Sequence, residues 1–430
     1  MNRRFLAGPL VLILIGVLLL LRNLRPGLIS WEMVATYWPF ILVVWGLLRL
    51  TELTVWWLHG KPLPSSGITG GEWVLALLIC LVGSTAPVVR VHWRSFPSDL
   101  WGEQGVELLG QNYDYPVTIE KPIGKSTRLV IENLRGKMRV VGRDTAVIHV
   151  EGRKTIRSLH QEEAEQVNAK TPFEITIEGE QIFLRLNPEQ RLPRSRVSLD
   201  LDVTVPRSLN IQASGRFQEF AISDLDGNVE ADVRAVAFRA HNIKGRIELL
   251  GRNRNVELED ISGDVVLGGD YSGALHFARL GKSFFFQSGS TEVRVEKLPG
   301  TIDMDLRRFK AADLIGPVSL RAKSRDVSIE DLRDALSVTL EQGDIMVDLK
   351  HNPSGRIEVV TKNGNVDLRL PASARFQLSA VTRRGEVTNS FGEGVTVKPQ
   401  GQGATAAGAL GKGPMIHLAT GLGTISLSKG

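Results

Sequence analysis

Three short stretches with one shared pattern decide the fold, and they read Asp224-Leu-Asp-Gly-Asn-Val229, Asn242-Ile-Lys-Gly-Arg-Ile247 and Asp260-Ile-Ser-Gly-Asp-Val265. Their glycines recur every 18 residues, the pattern returns at 297–302 and 313–318, and weaker copies follow at 331–336 and 352–357. The 37 residues from Gly263 to Gly300 are interpreted as two periods with a degenerate copy near Lys282. A fixed period of this size is typical of a repeat array, in which each unit buries its apolar face only against its neighbours.

A second alternating segment lies between the copies, as in Asn255-Val-Glu-Leu-Glu259, Asp326-Val-Ser-Ile-Glu330 and Asp344-Ile-Met-Val-Asp348. Each period is therefore predicted to hold two short strands and two tight turns, with glycine supplying the backbone freedom that a turn needs. Outward charges would keep the array soluble and discourage edge pairing. The pattern predicts an all-β repeat domain that is β-solenoid-like, with two short strands per repeat of about 18–20 residues. A twisted sandwich of similar hairpins stays an open alternative.

The chain around the repeats divides by composition. Residues 96–124 are predicted to be a linker, and residues 125–220 a β-rich entry region with one helix at about 158–170, where Gly and Pro are absent. The β-repeat domain is expected over 221–391. The Gly/Ala-rich stretch 392–413 is predicted to be a flexible loop before a terminal strand in 414–430.

The first 95 residues form a different class of sequence. Three apolar runs predict transmembrane helices at about 5–21, 33–57 and 73–89. All eight tryptophans lie between Trp31 and Trp101, and most fall near the ends of these runs, where aromatic belts form. Arg22-Asn-Leu-Arg25 replaces a small-residue cleavage site, so the first run is interpreted as retained rather than as a signal peptide. The lipid bilayer is thus one predicted partner.

The orientation in the membrane rests on few charges. With a cytoplasmic N-terminus, four basic residues fall on each side of the membrane, so the positive-inside count is a tie. The early pair Arg3 and Arg4 favours the cytoplasmic N-terminus. Three spans would then place the β domain outside the cytoplasm. We expect a multi-pass protein of the inner (cytoplasmic) membrane.

The bulk charge and the single cysteine exclude some functions. The formal charge of +5 is spread along 430 residues without a basic stripe, so no nucleic-acid partner is predicted. Cys80 cannot form a disulfide within the chain, and Leu78-Ile-Cys80 is a poor lipidation signal. Cys80 is interpreted as a buried apolar side chain.

A search for metal and phosphate sites gives weak candidates. The eight histidines show no zinc-type spacing. Gly281-Lys-Ser283 ends like a phosphate-binding loop, but His276 stands where its first glycine should be. Gly268-Gly-Asp270 resembles a calcium β-roll turn but occurs once.

Two further features bear on binding. The pairs Asp200/Asp202 and Asp303/Asp305 would each point to one sheet face and could hold a divalent ion, although a solvated face is the preferred interpretation. Phe284-Phe-Phe286 is either an exposed contact for a partner or, as we favour, a bulge or a rung edge capped by a loop. No catalytic, cofactor-binding or metal residue is therefore predicted, no cofactor is expected, and an enzyme is not expected.

The N-terminal motifs resemble a known family. Leu20-Leu-Arg-Asn-Leu24, Tyr37-Trp-Pro-Phe-Ile-Leu42 and Trp45-Gly-Leu47 look like the two-helix unit of Lia-type bacterial envelope-stress membrane proteins. The resemblance covers about fifty residues. It implies a bacterial cell envelope setting and a helical hairpin, but no reaction.

The β-rich part resembles a second family. Val203-Thr-Val-Pro-Arg-Ser208, Leu368-Arg-Leu-Pro-Ala-Ser373, Thr361-Lys-Asn-Gly-Asn-Val366 and Thr382-Arg-Arg-Gly-Glu-Val387 are similar to motifs of the bacterial "putative adhesin" β-repeat domain. The likeness spans about residues 125–428 and is interrupted by the helix at 158–170 and the stretch 392–413. It implies surface binding and supplies no catalytic residues.

Together these observations predict a membrane-anchored, non-enzymatic envelope protein that presents its β-repeat domain to a protein or polysaccharide ligand. One alternative is an envelope-stress sensing or regulatory protein that acts on a membrane signalling partner through close helix contacts. Another is a structural scaffold that oligomerises through its sheet edges. An enzyme with dispersed active-site residues is the fourth possibility.

Overall fold

A computed structural model describes residues 110–186 and 197–430, together with six isolated helical positions between 43 and 54. Apart from those positions, the three predicted membrane helices and Cys80 lie outside the described residues. Within the part that is described, no helix combines the length and the apolar character needed to cross a membrane. The chain separates into two units, Met1–Gly105 and Val106–Gly430, and the second is mostly β-strand.

The entry region contains six strands and one helix: β1 (Gln111–Pro122), β2 (Arg128–Arg143), β3 (Val147–Ser158), α1 (Gln161–Lys170), β4 (Phe173–Glu178), β5 (Gln181–Leu186) and β6 (Val197–Pro206). The predicted helix is present as α1, and Ala164 packs it against Ile156 and Val197. Strand β1 lies in the stretch predicted to be a linker, so that prediction was wrong there. Its Pro116 is tolerated because β1 pairs with β3 alone and forms a sheet edge.

The first half of the repeat region stacks strands in parallel: β7 (Asn210–Leu225), β8 (Val229–Ile243), β9 (Ile247–Ile261), β10 (Val265–Gly268), β11 (Asp270–Tyr271), β12 (Leu275–Leu280) and β13 (Phe284–Ser288). Ile211 pairs with Val229, and Val229 pairs with Ile247, so the sequence period of 18 is the pairing offset. The first halves of β7, β8 and β9 pair with one another, as in Ile211–Val229–Ile247, and we call this series of pairings sheet I. Their second halves form a separate series, as in Phe220–Phe238–Val256, which we call sheet II.

One strand reverses the direction of the chain. β14 (Thr291–Met304) is antiparallel to β12 and β13 on one side and to β15 (Arg308–Ser324) on the other. The repeat copy at Gly300 lies in β14, so it is not a parallel rung. The prediction that a second copy lies near Lys282 is confirmed, because the strand that follows it forms a parallel rung in which Phe284 pairs with Val265. The prediction that the copy at Gly300 continues the same series of rungs was wrong.

The second half resumes parallel stacking: β16 (Asp326–Leu332), β17 (Leu336–Gln342), β18 (Ile345–Asp348), β19 (Ile357–Asn363), β20 (Val366–Leu370), β21 (Phe376–Arg384), β22 (Val387–Asn389), β23 (Val395–Gln400), β24 (Gly403–Leu410), β25 (Met415–Leu422) and β26 (Ile425–Lys429). β25 and β26 insert between the earlier rung and β21 and β22. Inward Val, Ile, Leu and Phe side chains of both sheets form one continuous buried core.

The stretch 392–413 is not the flexible loop that its composition predicted. After a short 3-10 helix (Gly392–Gly394), β23 and β24 form an antiparallel hairpin, and β24 also pairs with β21. Ala404 and Ala406 are buried between strands, and a Cβ on Gly408 would lie 2.1 Å from the carbonyl oxygen of Gly394. Small residues here allow close backbone approach rather than flexibility.

The repeat motif divides two roles between its polar residue and its glycine. Asp224, Asn242 and Asp260 have φ angles of 59°, 53° and 56°, the left-handed conformation that Asp and Asn tolerate. Gly245 does not share that conformation, but a Cβ on it would lie 2.2 Å from the carbonyl oxygen of Gly227. In these three copies the turn freedom expected of glycine is thus supplied by Asp or Asn, while glycine permits rung-to-rung contact.

Candidate functional site

A cleft of about 620 Å³ opens on sheet II beside the reversal strand β14. Its floor is the inward row of the core, where Leu275, Met304 and Phe309 are buried. Its walls carry the outward side chains of β12, β14, β15, β16 and β18, with Asp367 from β20. Because the strands alternate faces, the antiparallel insertion brings polar residues from distant rungs together above one apolar floor.

His276 joins two strands at one wall of the cleft. It lies opposite Asp303 across the β12–β14 pair, and its Nδ1 is 2.6 Å from Asp303 Oδ1. Its Nε2 is 3.6 Å from Glu259 Oε1 of β9. With a carboxylate at each ring nitrogen, the imidazole is held in one orientation and links β9, β12 and β14.

Asp305 stabilises the turn between β14 and β15. Its Oδ1 accepts the backbone N–H groups of Arg307 and Arg308, each at 2.8 Å. These two backbone hydrogen bonds, with help from the Arg308 guanidinium, lower the pKa of Asp305. Asp303 and Asp305 are thus occupied separately, one by His276 and one by the turn. The sequence grouped them as one carboxylate pair, and the structure assigns them different partners.

The opposite side of the cleft carries a ladder of side-chain-to-backbone bonds. Asp326 Oδ1 accepts the N–H of Asp344 at 3.1 Å, Asp344 Oδ1 accepts that of Asn365 at 2.7 Å, and Asn365 Oδ1 accepts that of Thr424 at 2.9 Å. Each bond crosses from one rung to the next. These bonds offset the repulsion expected between Asp326, at the start of β16, and Asp344, which precedes β18 on the next rung.

Met346 is an exposed apolar side chain of the cleft. It lies between Ser328 and Asp367 in the pairing of β16, β18 and β20, and 43% of its surface is exposed. Within the described ranges, Asp326, Asp344 and Asp367 form no ion pair with a basic side chain. The cleft therefore presents a flexible thioether beside three carboxylates that have no cationic partner among the described residues, two of which use one oxygen each to accept a backbone N–H.

One cluster resembles a metal site. Among the described residues, ligand atoms of His241, Glu259 and Asp260 alone come within 4.8 Å of one another as a group of three. However, Arg279 Nε lies 2.6 Å from Asp260 and its Nη2 2.9 Å from Glu259. The Arg279 hydrogen bonds lower the pKa of Asp260. The carboxylates already have a guanidinium partner, so the cluster is an ion-pair network.

Sequence reasoning missed this cluster because its members are 18 and 19 residues apart rather than in a local motif. His241 pairs with Glu259 across β8 and β9. Comparing residues at the repeat period would have found that pair.

The remaining sequence candidates are structural. Phe284 and Phe286 are buried in the regularly paired strand β13, without the predicted bulge, while Phe285 points outward with the Arg294 guanidinium 4.7 Å from its ring centre. Lys282 lies in the turn between β12 and β13, where Ser283 donates to Asp264 at 2.6 Å.

The other carboxylate pair is also divided between partners. Asp200 lies 3.2 Å from Arg153, and Asp202 lies 3.9 Å from Arg139. Each is half of a surface ion pair, which contributes little to stability.

Comparison with family models gives two matches. Residues 127–402 match the Toastrack DUF4097 model, and residues 7–92 match the LiaF transmembrane domain model. The first match covers more than half of the chain, and the second covers the region of the predicted membrane helices. A search of curated proteins finds no match.

Several solved structures are similar over most of their length. A "putative cell adhesion protein" from Clostridium sporogenes is 11% identical, covers 75% of this chain and 100% of its own, and has a TM-score of 0.18. A "putative adhesin" from Bacteroides fragilis is 10% identical, with 73% and 97% covered and a TM-score of 0.23. A "putative lipid binding protein" from Parabacteroides distasonis is 11% identical, with 73% and 96% covered and a TM-score of 0.22. At these TM-scores nothing about the function of this chain follows.

Proposed function

This chain belongs to the Toastrack DUF4097 family, and from that premise we propose that it is a non-enzymatic envelope protein whose β domain binds a partner at the cleft beside β14. The LiaF transmembrane match, with the Toastrack domain that follows it, indicates a membrane-associated envelope protein. The observation that carries the binding proposal is the exposed Met346 beside carboxylates without ion-pair partners in the described ranges.

The state of the ionisable groups favours binding over catalysis. His276 is held between two carboxylates, and Asp305 is engaged by backbone N–H groups. A general base needs a free acceptor within reach of a substrate proton. The cleft instead offers an apolar contact and charge, which are the elements of a recognition surface.

The chemistry of the surface favours a protein partner over a polysaccharide. Among the described residues, every aromatic side chain is buried or partly buried, so no fully exposed ring offers a flat platform for a sugar. The cleft combines the Met346 side chain with Asp326, Asp344 and Asp367. A segment with Lys or Arg next to an apolar side chain would complement both features.

The architecture of the binding domain is proposed to be a β-solenoid interrupted once. Parallel pairing at an offset of 18 in β7, β8 and β9 supports it, and so does the parallel pairing from β15 to β20. We further propose that three helices cross the inner membrane from a cytoplasmic N-terminus and place this domain outside. Protease treatment of intact cells, permeabilised cells and inverted vesicles tests the topology, and cleavage restricted to inverted vesicles would contradict it.

Site-specific photo-crosslinking in the full-length chain tests the cleft. A photoreactive residue at Met346 should form an adduct with a protein in cells. The matched control is Thr339, which is exposed on the outward face of β17 in sheet I. Equal adducts at both positions, or none at Met346, would exclude the cleft as the binding surface.

A second candidate function is regulation of envelope stress through the membrane helices, and the LiaF transmembrane match is the observation that favours it. Replacing residues 1–95 with an unrelated three-span anchor separates the two. Loss of the stress response with an unchanged Met346 adduct would assign regulation to the helices. A retained response would leave the β domain as the active part.

A further inference from the structure

Sheet I ends in two strands of equal length. β4 (Phe173–Glu178) pairs with β5 alone, and β23 (Val395–Gln400) pairs with β24 alone, among the strands in the described part of the chain. Each strand is six residues long and forms an outer edge of the same sheet. An unpaired edge exposes backbone N–H and C=O groups that can pair with another strand, although at β4 the carbonyl oxygen of Ile175 accepts a hydrogen bond from Lys121 Nζ at 2.5 Å, which an added strand would have to replace.

The two edges run in opposite directions. β5 is parallel to β2, so its antiparallel neighbour β4 runs against the ladder. At the other end, β24 is antiparallel to β21 and β23 is antiparallel to β24, so β23 runs with the ladder. A second copy translated along the ladder would therefore place its β4 antiparallel to β23 of the first. The sheet would continue without rotation of either copy.

The side chains of the two edges are complementary as well. The inward positions of β4 include Ile175, which is buried, and Ile177, which is 43% exposed. The inward positions of β23 include Val395, which is buried, and Val397, which is 38% exposed. Each edge thus leaves one core-facing apolar side chain partly uncovered. Pairing the edges would bury both and extend the core from one copy into the next.

The outward charges have opposite sign. β4 carries Glu174 and Glu178 on its outward face, whereas β23 carries Lys398. The segments around the two edge strands differ in charge in the same way. Residues 161–180 contain six acidic side chains and one basic, and residues 375–430 contain six basic and two acidic. None of those six basic side chains forms an ion pair with a carboxylate of the described residues.

We propose that copies of this chain associate head to tail, with β23 of one copy added to β4 of the next. The register that places Glu174 opposite Lys398 also places Ile175 opposite Val397 and Ile177 opposite Val395. Such a contact is heterologous, so it generates rows rather than closed dimers. The contact involves no residue that lines the cleft, so it is independent of the proposed binding function.

The edges also carry features that limit their strength. Pro399 lacks an N–H donor, and charged edge positions disfavour pairing with unrelated strands. Pairing between two six-residue edge strands is a weak contact between molecules in dilute solution. Copies that share a membrane have a higher effective concentration, so the association is expected there.

Disulfide trapping in membranes tests the seam. Two full-length chains with Cys80→Ala carry Ile177→Cys and Val395→Cys respectively, with different tags. Oxidation should form a disulfide between the Ile177→Cys chain and the Val395→Cys chain, but not between two copies of the same chain. A chain that carries both substitutions should give dimers, trimers and longer species. No mixed disulfide, or equally efficient joining of Ile177→Cys chains to each other, would overturn the proposal.

Charge exchange provides an independent control in the same trapping assay. Lys398→Glu alone and Glu174→Lys alone should each lower the mixed-disulfide yield about threefold to fivefold, and the two together should restore it. Lys350→Glu is the matched control, because Lys350 is exposed within the ladder and away from both edges. Failure of the double exchange to restore the yield would overturn the pairing, while the Met346 adduct reports separately on the cleft.

Discussion

The Nζ of Lys154 lies 3.1 Å from the carbonyl oxygen of Asn168, and a second bond to the carbonyl of Thr171 completes its contact with the end of α1. Lys154 is only 3% exposed, so a cationic side chain from β3 satisfies helix carbonyls that would otherwise lack partners. A lysine at the C-terminal end of a helix also complements the helix dipole. This contact fixes α1 to the β domain.

Burial lowers the pKa of Lys154 to about 8, and this predicts a stability that depends on pH. An unfolded lysine has a pKa of about 10.4, so between about pH 8 and 10.4 the unfolded chain binds more protons. The free energy of unfolding should therefore rise with pH across that window, by on the order of 3 kcal/mol. The free energy of unfolding of the wild type and of Lys154→Met should be measured with denaturant at a series of matched pH values. The contribution of Lys154 is the difference between the two slopes of free energy against pH. Parallel slopes would contradict the role of Lys154.

The division of roles within the repeat motif can be tested at two positions. Gly245→Ala should lower the free energy of unfolding by more than about 2 kcal/mol, because its Cβ would meet the backbone of Gly227. Gly289→Ala is the control, since Gly289 has φ +53° but open space around it, and it should cost only about 1 kcal/mol. Thermal unfolding compares the two. Equal losses would mean that conformation rather than contact decides the glycine positions.

The turn at Asp305 predicts a loss of stability in acid. Because hydrogen bonds from Arg307 and Arg308 lower its pKa, the carboxylate contributes stability above the unfolded pKa, and that contribution is lost as the pH falls through the folded value. Asp305→Ala should reduce the free energy of unfolding by no more than about 1 kcal/mol at pH 7, since solvent screens this partly exposed group. The difference from the wild type should shrink at acidic pH. An undiminished difference would point to a role in packing.

The ion-pair network predicts a latent cation site. Arg279→Ala removes the partner of Glu259 and Asp260 and leaves them beside His241. Zinc at ten times its dissociation constant should then stabilise the variant by about 1.4 kcal/mol, and it should leave the wild type unchanged. A thermal shift with and without zinc measures this. A zinc shift in the wild type would show that Arg279 does not occupy the site.

Much of the repeat region could be predicted because its period is its pairing offset. Val229 and Ile247 are 18 residues apart in the sequence, at equivalent positions of the repeat, and they pair directly in the sheet. The direction of β14 could not be predicted, since Leu-Pro-Gly300-Thr-Ile has the local pattern of a rung, and local pattern does not encode which way a strand runs. The stretch 392–413 was misjudged because alanine and glycine were taken as signs of flexibility. The wall formed by His276 and Asp303 arises from tertiary pairing across 27 residues, which no local motif reports.

The reversal at β14 also bears on how the domain reaches its native state. The parallel pairings from β7 to β9 and from β15 to β17 close contacts over 18 residues, so we expect each half of the ladder to contain a part that forms at low cost in loop closure. β14 is where the two growing halves meet, because it pairs with β12 and β13 on one side and β15 on the other. Antiparallel pairing does not repeat the register of the parallel rungs, so we expect β14 to confine a misaligned rung to the half of the ladder in which it arose.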